Sequence, residues 1–422
     1  MAEVIPFKGI LYNPEAVHAG SVMAPPYDIV SPELKEELYN KSPYNIIRVD
    51  FGKDDDGDNE HRNRYSRASQ FLSDWLREEV LLHDPDPSFY CYEISYEICG
   101  ENKKVRGFLG AVRIEELGIG KVHPHEMTYS KPKSDRLNIL RHCNANTSPI
   151  FSLYSSREKL ASSILDDTSN KPPYIEASDK DGFTHRLWKI SISASTETIR
   201  EEMSDKDIYI ADGHHRYETA LAFRKEMEDK GMESTGKEPF NYVLMFLSNM
   251  EEEGLTLLPT HRIIEINSDI KIKDSLRKYF DIQKVSMEGA DEKQLRDKML
   301  EMMRSKDHAF GMLLTNSNNY YTLTYNNSNL DLNLPESLKR LDVSILHKLI
   351  FEKLLNVDHF EYEMDPDIAV ERSRKGSFEA VFFLNPTRIQ DVKEVALAGH
   401  RMPTKSTYFY PKLLTGMVIY NF

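Results

Sequence analysis

The sequence predicts a fold of the α/β to α+β class with mixed sheets, and three observations carry that expectation. Residues 208–211 form a short apolar run that passes through Gly213 into a stretch of helical period, with Tyr217, Ala220, Leu221 and Met227 on one side. Residues 241–248 (NYVLMFLS) are continuously apolar, the pattern of a strand covered on both faces. Residues 88–98 and 104–114 read as two strands of a hairpin joined at Gly100. Strands therefore both alternate with helices and pair directly with their sequence neighbours.

The elements follow in order. Pro25 and Pro26 hold the backbone extended, so Tyr27 and Asp28 are expected to project from a stiff loop. Ser31 as N-cap and Pro32 at the first helical position start a helix through Leu38. The acidic run at 53–60 lacks the glutamate spacing of a calcium loop and reads as solvated charge. A helix is expected over 62–79, the hairpin after it, and a buried strand over 148–154. Strands follow over 175–188, a short helix over 196–203, and a loop over 225–237 with Gly231 and Gly236. Leu257–Leu258–Pro259–Thr260–His261–Arg262 places a His-Arg pair at an expected strand edge. Further on, helices are expected over 270–280, 292–306, 337–355 and 389–398, and strands over 309–314, 320–325 and 379–384.

Composition narrows the function classes. At 422 residues the chain has length for two or three domains, and 40% hydrophobic with 29% charged residues suits a globular protein. A net charge of −14 argues against a nucleic-acid partner, which needs a broad basic surface. Three cysteines without metal spacing suit a reducing compartment. The first residues have no signal-peptide character, and no apolar run approaches the ~18 residues of a membrane span. A cytoplasmic location without a membrane partner is the expectation.

The chemistry concentrates in a few stretches. Asp212-Gly213-His214-His215-Arg216 lies at the strand-to-helix junction, with Asp212 expected as N-cap and Gly213 allowing a tight turn. Helix-start N–H groups, the positive dipole end and Arg216 together suit a phosphate. Asp212 is the candidate metal ligand, for a Mg2+ riding on that phosphate, or a proton acceptor. His123-Pro124-His125-Glu126 supplies a second cluster. Pro124 forbids the helical metal geometry, which leaves a base or a phosphate-contacting loop. Lys133, Arg136 and Arg141 follow on or beside a helix; they offer charge to an anion or simply pair with the acidic remainder. The tail carries Asn385-Pro386-Thr387 and then Lys405-Ser406-Thr407-Tyr408-Phe409-Tyr410-Pro411-Lys412, a run suited to clamping a base and phosphates.

Taken together, Ala24-Pro25-Pro26-Tyr27-Asp28, the His123–Glu126 cluster, the Ala211–Tyr217 turn, the Leu258–Arg262 run, Asn385-Pro386-Thr387 and the Lys405–Lys412 run resemble the DUF1015 family over nearly the whole chain. The Asp212–Arg216 turn is also similar to the phosphate-binding motif of the ParB/sulfiredoxin superfamily, and most of all to its free-serine kinases. That similarity spans about 30 residues and implies a ParB/sulfiredoxin-like core at 116–235. An N-terminal α/β portion (1–115), an accessory portion (236–365) and a C-terminal segment returning to the site (366–422) would surround it.

The resemblance implies a nucleotide-dependent phosphotransferase acting on a small hydroxyl compound, with serine or phosphoserine leading, and Mg2+ with ATP or ADP. Glu126, Asp212 and His125 are its catalytic candidates, and Glu126 is preferred to Asp28 as base. Gly213, His214, His215, Arg216, Lys405, Ser406 and Thr407 would hold the nucleotide phosphates. Tyr27, Asp28, His123, Lys133, Arg136, Arg141, His261 and Arg262 would face the substrate. Two alternatives stand beside it. One is a nucleotide-binding switch without turnover, which allows a homodimer. The other is a metal-dependent hydrolase drawing on His123, His125, Glu126, Asp212, His214 and His215.

Overall fold

The computed structural model describes residues 3–128, 130–231, 235–266, 271–304, 306–317, 319–326, 332–357, 359–376 and 378–422. It has mixed sheets and many helices, as the α/β to α+β expectation requires. The chain divides into two units. The first comprises Met1–Pro124, Thr128–Thr256 and Pro411–Phe422; the second comprises His125–Met127 and Leu257–Tyr410.

The first unit is built on a nine-stranded sheet. Its strands are β1 (Val4–Ile5), β2 (Phe89–Ile98), β3 (Glu101–Arg113), β4 (Val122–His123), β5 (Ile150–Tyr154), β6 (Ile175–Ser178), β7 (Thr184–Ile190), β8 (Ile208–Asp212) and β9 (Tyr242–Asn249). They lie in the order β4-β8-β5-β9-β3-β2-β7-β6, with β1 added to β3. The β9–β5 and β8–β4 pairs are parallel and the others antiparallel. The β2–β3 hairpin turns through Cys99 (φ 53°) and Gly100 (φ 78°), the two positive values that a two-residue turn needs to match strand twist. All eight residues of β9 are buried, as an interior strand with two covered faces must be.

Helices cover this sheet. Those that position the site are α1 (Pro32–Lys41), α2 (Arg64–Arg77), α3 (Ser130–Cys143), α4 (Leu160–Ser169), α5 (Ser193–Met203) and α6 (His214–Asp229). Ser31 caps α1 by accepting the Leu34 N–H at 3.2 Å, and Asn63 and Ser66 form a reciprocal cap on α2. α3 packs on α6 and on α2. The core joins Phe89, Phe108, Trp188, Ile210, Tyr217 and Met245. Helix α6 runs on to Asp229, into the stretch expected to be loop; residues 232–234 lie outside those described.

The second unit has a six-stranded sheet of antiparallel pairs. Its strands are β10 (His261–Ile264), β11 (Phe280–Lys284), β12 (Ala309–Leu314), β13 (Asn319–Tyr325), β14 (Phe360–Glu363) and β15 (Ala380–Phe383), in the order β11-β13-β12-β15-β10-β14. Helices α7 (Glu292–Arg304) and α8 (Pro366–Lys375) share a core with Ile263, Leu313 and Phe383. Phe382, on the opposite face by strand alternation, packs edge-on against Phe351. Phe351 belongs to a π-helix, Ile345–Leu355.

β10 opens with His261 and Arg262, so the pair stands at the end of its strand as expected, within an interior strand between β15 and β14. Two local expectations need correction in this unit. The helix expected at 337–355 is three pieces, the last of them π. The helix expected at 270–280 is only Ile272–Leu276, since Phe280 already pairs with Tyr325; residues 267–270 lie outside those described.

Candidate functional site

Strand β8 delivers the turn. Its pairing with β5 shifts register between Ile210 and Asp212, a bulge that re-aims the strand end. Gly213 then takes φ +95° and occupies the N-cap position of α6, with Asp212 as the last strand residue. This corrects the expectation that Asp212 caps the helix. Its carboxylate is directed elsewhere: Oδ2 accepts from Lys412 Nζ at 3.0 Å and lies 3.9 Å from Arg216 Nη2. Burial pushes the Asp212 carboxyl up, but Lys412 and Arg216 outweigh it, so the group sits well below its usual range and is ionised.

Arg216 is held from one end. Its Nη1 donates to Ser148 Oγ at 2.8 Å and to the Pro149 carbonyl. Among the described residues the Nε and Nη2 atoms have no hydrogen-bond acceptor, although that edge is the one that grips an oxyanion in two places. The guanidinium lies over Gly213: a Cβ there would meet Arg216 Nε at 2.8 Å and Nη2 at 2.9 Å. Glycine is therefore required by the left-handed backbone, and a Cβ there would also displace the Arg216 guanidinium. The fork thus sits beside the first turn of α6, whose N–H groups and dipole also favour an anion.

Further groups gather around this turn. The Arg136 guanidinium lies 4.0 Å over the Tyr27 ring. It is buried against Asp50 (Nη1 to Oδ2 3.1 Å) and against Asp135, which Nε reaches at 3.0 Å. Burial raises the Tyr27 hydroxyl to about 12, against the pull of Arg136 and Arg216. Lys133 Nζ (2.9 Å) and Thr128 Oγ1 (2.6 Å) both donate to the Glu218 carboxylate. The His215 imidazole is shifted down, first by burial, with Glu218, Asp28 and Asp212 opposing and Lys133 assisting. It is a weakly basic, neutral ring with three carboxylates near it. A cavity of about 40 Å³, bounded by Asp50, Arg136, Ser148 and Arg216, adjoins the turn and is too small for a nucleobase.

Of the expected site residues, the first unit thus gathers Tyr27, Asp28, Lys133, Arg136, Asp212, Gly213, His214, His215 and Arg216. Two others in this unit are occupied elsewhere. His123 Nε2 bonds Asp207 at 2.8 Å while its ring stacks on Tyr209. Arg141 pairs with Glu226, the surface-pairing role weighed for it from sequence. Sequence reasoning missed Glu218 and Lys412. Lys412 closes the Lys405–Lys412 run and Glu218 directly follows the Ala211–Tyr217 turn, but nothing in spacing says that Lys412 meets Asp212 across 200 positions.

The second unit gathers the remainder. Glu126 Oε1 accepts the Lys405 N–H at 2.8 Å, and Lys405 adopts φ +54°. His125 is buried with Nε2 3.0 Å from Thr407 Oγ1, and the Ser406 hydroxyl donates to the Pro403 carbonyl. His261 and Arg262 are both buried. His261 Nδ1 accepts the Leu384 N–H at 3.3 Å, and burial lowers the ring to about 3, so it is neutral. Among the described residues no group of three or more His, Cys, Asp or Glu is placed to hold a metal ion.

The Lys412–Asp212 pair sets a pH dependence. A carboxyl held below its unfolded value of 3.8 contributes stability that is complete above that value and lost as pH falls through the folded one. The stability difference between the natural protein and Lys412→Met is therefore expected to be level between about pH 5 and 8 and to shrink below about pH 4. Urea titrations at pH 7, 5 and 3 check this; a difference independent of pH down to 3 would place the stabilisation elsewhere.

Fold and turn together define a mixed α/β protein with a glycine turn and a half-anchored arginine at a strand-to-helix junction. The chain belongs to the DUF1015 family, described as a protein of unknown function, which matches residues 4–344. No curated protein matches it. Among solved structures it is similar to a mutant free serine kinase in complex with AMP, at 12% identity and a TM-score of 0.34, covering 70% of this chain and 89% of that one. It is also similar to a C-terminally truncated SbnI from Staphylococcus aureus, at 9% identity and a TM-score of 0.36, covering 73% and 85%. A conserved hypothetical protein from Pyrococcus furiosus is similar at 14% identity and a TM-score of 0.32, covering 68% and 87%. No described helix is long and apolar enough to cross a membrane.

Proposed function

We propose that the protein is a nucleotide-dependent phosphotransferase acting on a small hydroxyl compound, with the nucleotide phosphates seated on the Asp212–Arg216 turn. The observation that carries the reading is the Nε–Nη2 edge of Arg216, anchored from behind by Ser148 and Pro149 and facing the start of α6. Phosphoryl transfer asks a protein mainly to position phosphate, neutralise developing charge and orient a nucleophile. Arg216, the helix start and Lys412 supply the first two. Glu218 is the base we favour: His215 and Lys133 adjoin it, and its carboxylate already accepts from a hydroxyl, that of Thr128. This replaces Glu126, whose carboxylate accepts the Lys405 N–H in the second unit.

Asp212 offers a hard, ionised oxygen, and Mg2+ commonly takes one carboxylate with phosphate oxygens and water. The residues fit Mg2+ arriving with ATP or ADP, where it would neutralise phosphate charge. Serine and phosphoserine are the first substrates to test.

The expected result is phosphate exchange between ATP or ADP and one member of a panel of hydroxy-amino acids and their phosphates, followed by 31P NMR. Asp212→Ala should lower that rate at least a hundredfold, a loss of about 2.7 kcal/mol in barrier terms. Exchange on no panel member, with Asp212→Ala indistinguishable in nucleotide binding, would end this reading. Nucleotide-dependent dimerisation without turnover would favour the switch instead.

A further inference from the structure

Three of the sequence motifs take no part in the phosphate turn: the Leu258–Arg262 run, Asn385-Pro386-Thr387 and Ser406. All three line one cavity of the second unit, about 820 Å³ in volume, the size range of small-molecule sites. Its wall holds Arg262, a guanidinium that is 1% exposed. Nε donates to His347 Nε2 at 3.2 Å, Nη1 to the Thr260 carbonyl and Nη2 to the Lys405 carbonyl at 3.0 Å. These three acceptors are uncharged, the Tyr362 ring lies 4.7 Å from the guanidinium, and Glu126 is the carboxylate whose charge acts on it. A guanidinium has five N–H groups, so two remain.

Two independent observations point the same way. Thr260 is 6% exposed and lines the cavity, yet its Oγ1 is buried without a hydrogen-bond partner, an arrangement that is unfavourable when nothing answers it. His347, which holds Arg262, stands on the π-helix, a rare element that is frequent at functional sites. Its ring is lowered to about 3 by burial and then by Arg262, so it accepts from Arg262 as a neutral ring. The lining adds Arg304, Lys306 and Arg340 alongside four carboxylates, of which Asp307 pairs with Arg388 and Asp342 with His308, while Asp391 and Glu394 also line it.

We propose that this cavity is a binding site for a small organic oxyanion, a carboxylate- or phosphate-ended metabolite whose charged end sits against Arg262 and the Thr260 hydroxyl. A two-oxygen end group answers the two remaining N–H donors together, compensates the buried cation and gives the Thr260 hydroxyl its partner. The proposal is independent of the phosphotransfer reading, since no residue of the Asp212–Arg216 turn lines this cavity.

The test is isothermal titration of the full chain with two sets of probes. One set is malate, succinate and serine; the other is O-phosphoserine, glycerol phosphate and inorganic phosphate. At least one probe is expected to bind, and the set it belongs to identifies the end group. Thr260→Val is the decisive variant, because it replaces an unpartnered buried hydroxyl with a methyl of the same shape. The variant should fold with equal or higher melting temperature and bind the same probe about tenfold more weakly. Arg262→Lys should weaken it further if it folds. No binding by any probe at millimolar concentration, or unchanged affinity in Thr260→Val, would overturn the proposal.

Discussion

Replacing Arg136 by methionine is expected to cost about 3–5 kcal/mol of stability, the usual penalty for removing one member of a buried ion pair. Arg136 is 6% exposed and Asp50 2%. Without the guanidinium, Asp50 keeps only the Thr147 hydroxyl, at 2.6 Å, and its charge stays in a place where water does not reach. A lone buried carboxylate without its cation destabilises the fold. Adding Asp50→Asn to Arg136→Met should recover a good part of the loss, because the lone charge is gone. Urea titrations of the two variants decide this. A single-variant loss under 1 kcal/mol would show that Arg136 is no keystone between the Tyr27 loop and α3.

Much of this was legible in the sequence for physical reasons. Gly100 announced the hairpin because only a turn with positive φ joins two long strands so tightly, and Cys99 follows it into that region. The apolar run ending near Asn249 announced an interior strand because water has no access to either face. Ser31-Pro32 announced a helix start because hydroxyl and ring each solve a problem of the first turn. The Asp212–Arg216 junction was legible for the same reason, as a strand that must turn at once into a helix.

What was not legible depends on contacts between distant positions. Asp212 was expected to cap α6 because aspartate before a helix usually does. The bulge at Ala211 and the arrival of Lys412 turned it to another partner. Arg136 read either as charge offered to an anion or as a surface partner of acidic residues, and only the fold shows it buried against Asp50 and Asp135. Glu218 read as an ordinary helix residue, since nothing in its own helix says that Thr128 and Lys133 face it. The π-helix at Ile345–Leu355 has no signature in hydrophobic period, because a buried helix is apolar all round whatever its winding.

Arg216→Lys is expected to lower nucleotide affinity ten- to a hundredfold, and it tests the turn most directly. Lysine keeps the positive charge but presents one ammonium in place of the Nε–Nη2 fork. A charge-assisted hydrogen bond contributes roughly 1.5–3 kcal/mol, which is that range of affinity. A first-turn arginine is not favoured by the helix dipole it faces, so charge alone would leave folding nearly unchanged. The bonds to Ser148 Oγ and the Pro149 carbonyl alter that, and a loss of about 1–2 kcal/mol in stability is now expected as well. Ser148→Ala separates the two effects: it removes one anchor and leaves the guanidinium, so it should match much of the stability loss with little change in affinity. Titration calorimetry with ADP well below the melting temperature reads the affinities. If Arg216→Lys binds ADP as the natural protein does, the guanidinium is only a tie between α6 and β5. Phosphate would then have to be sought away from this turn.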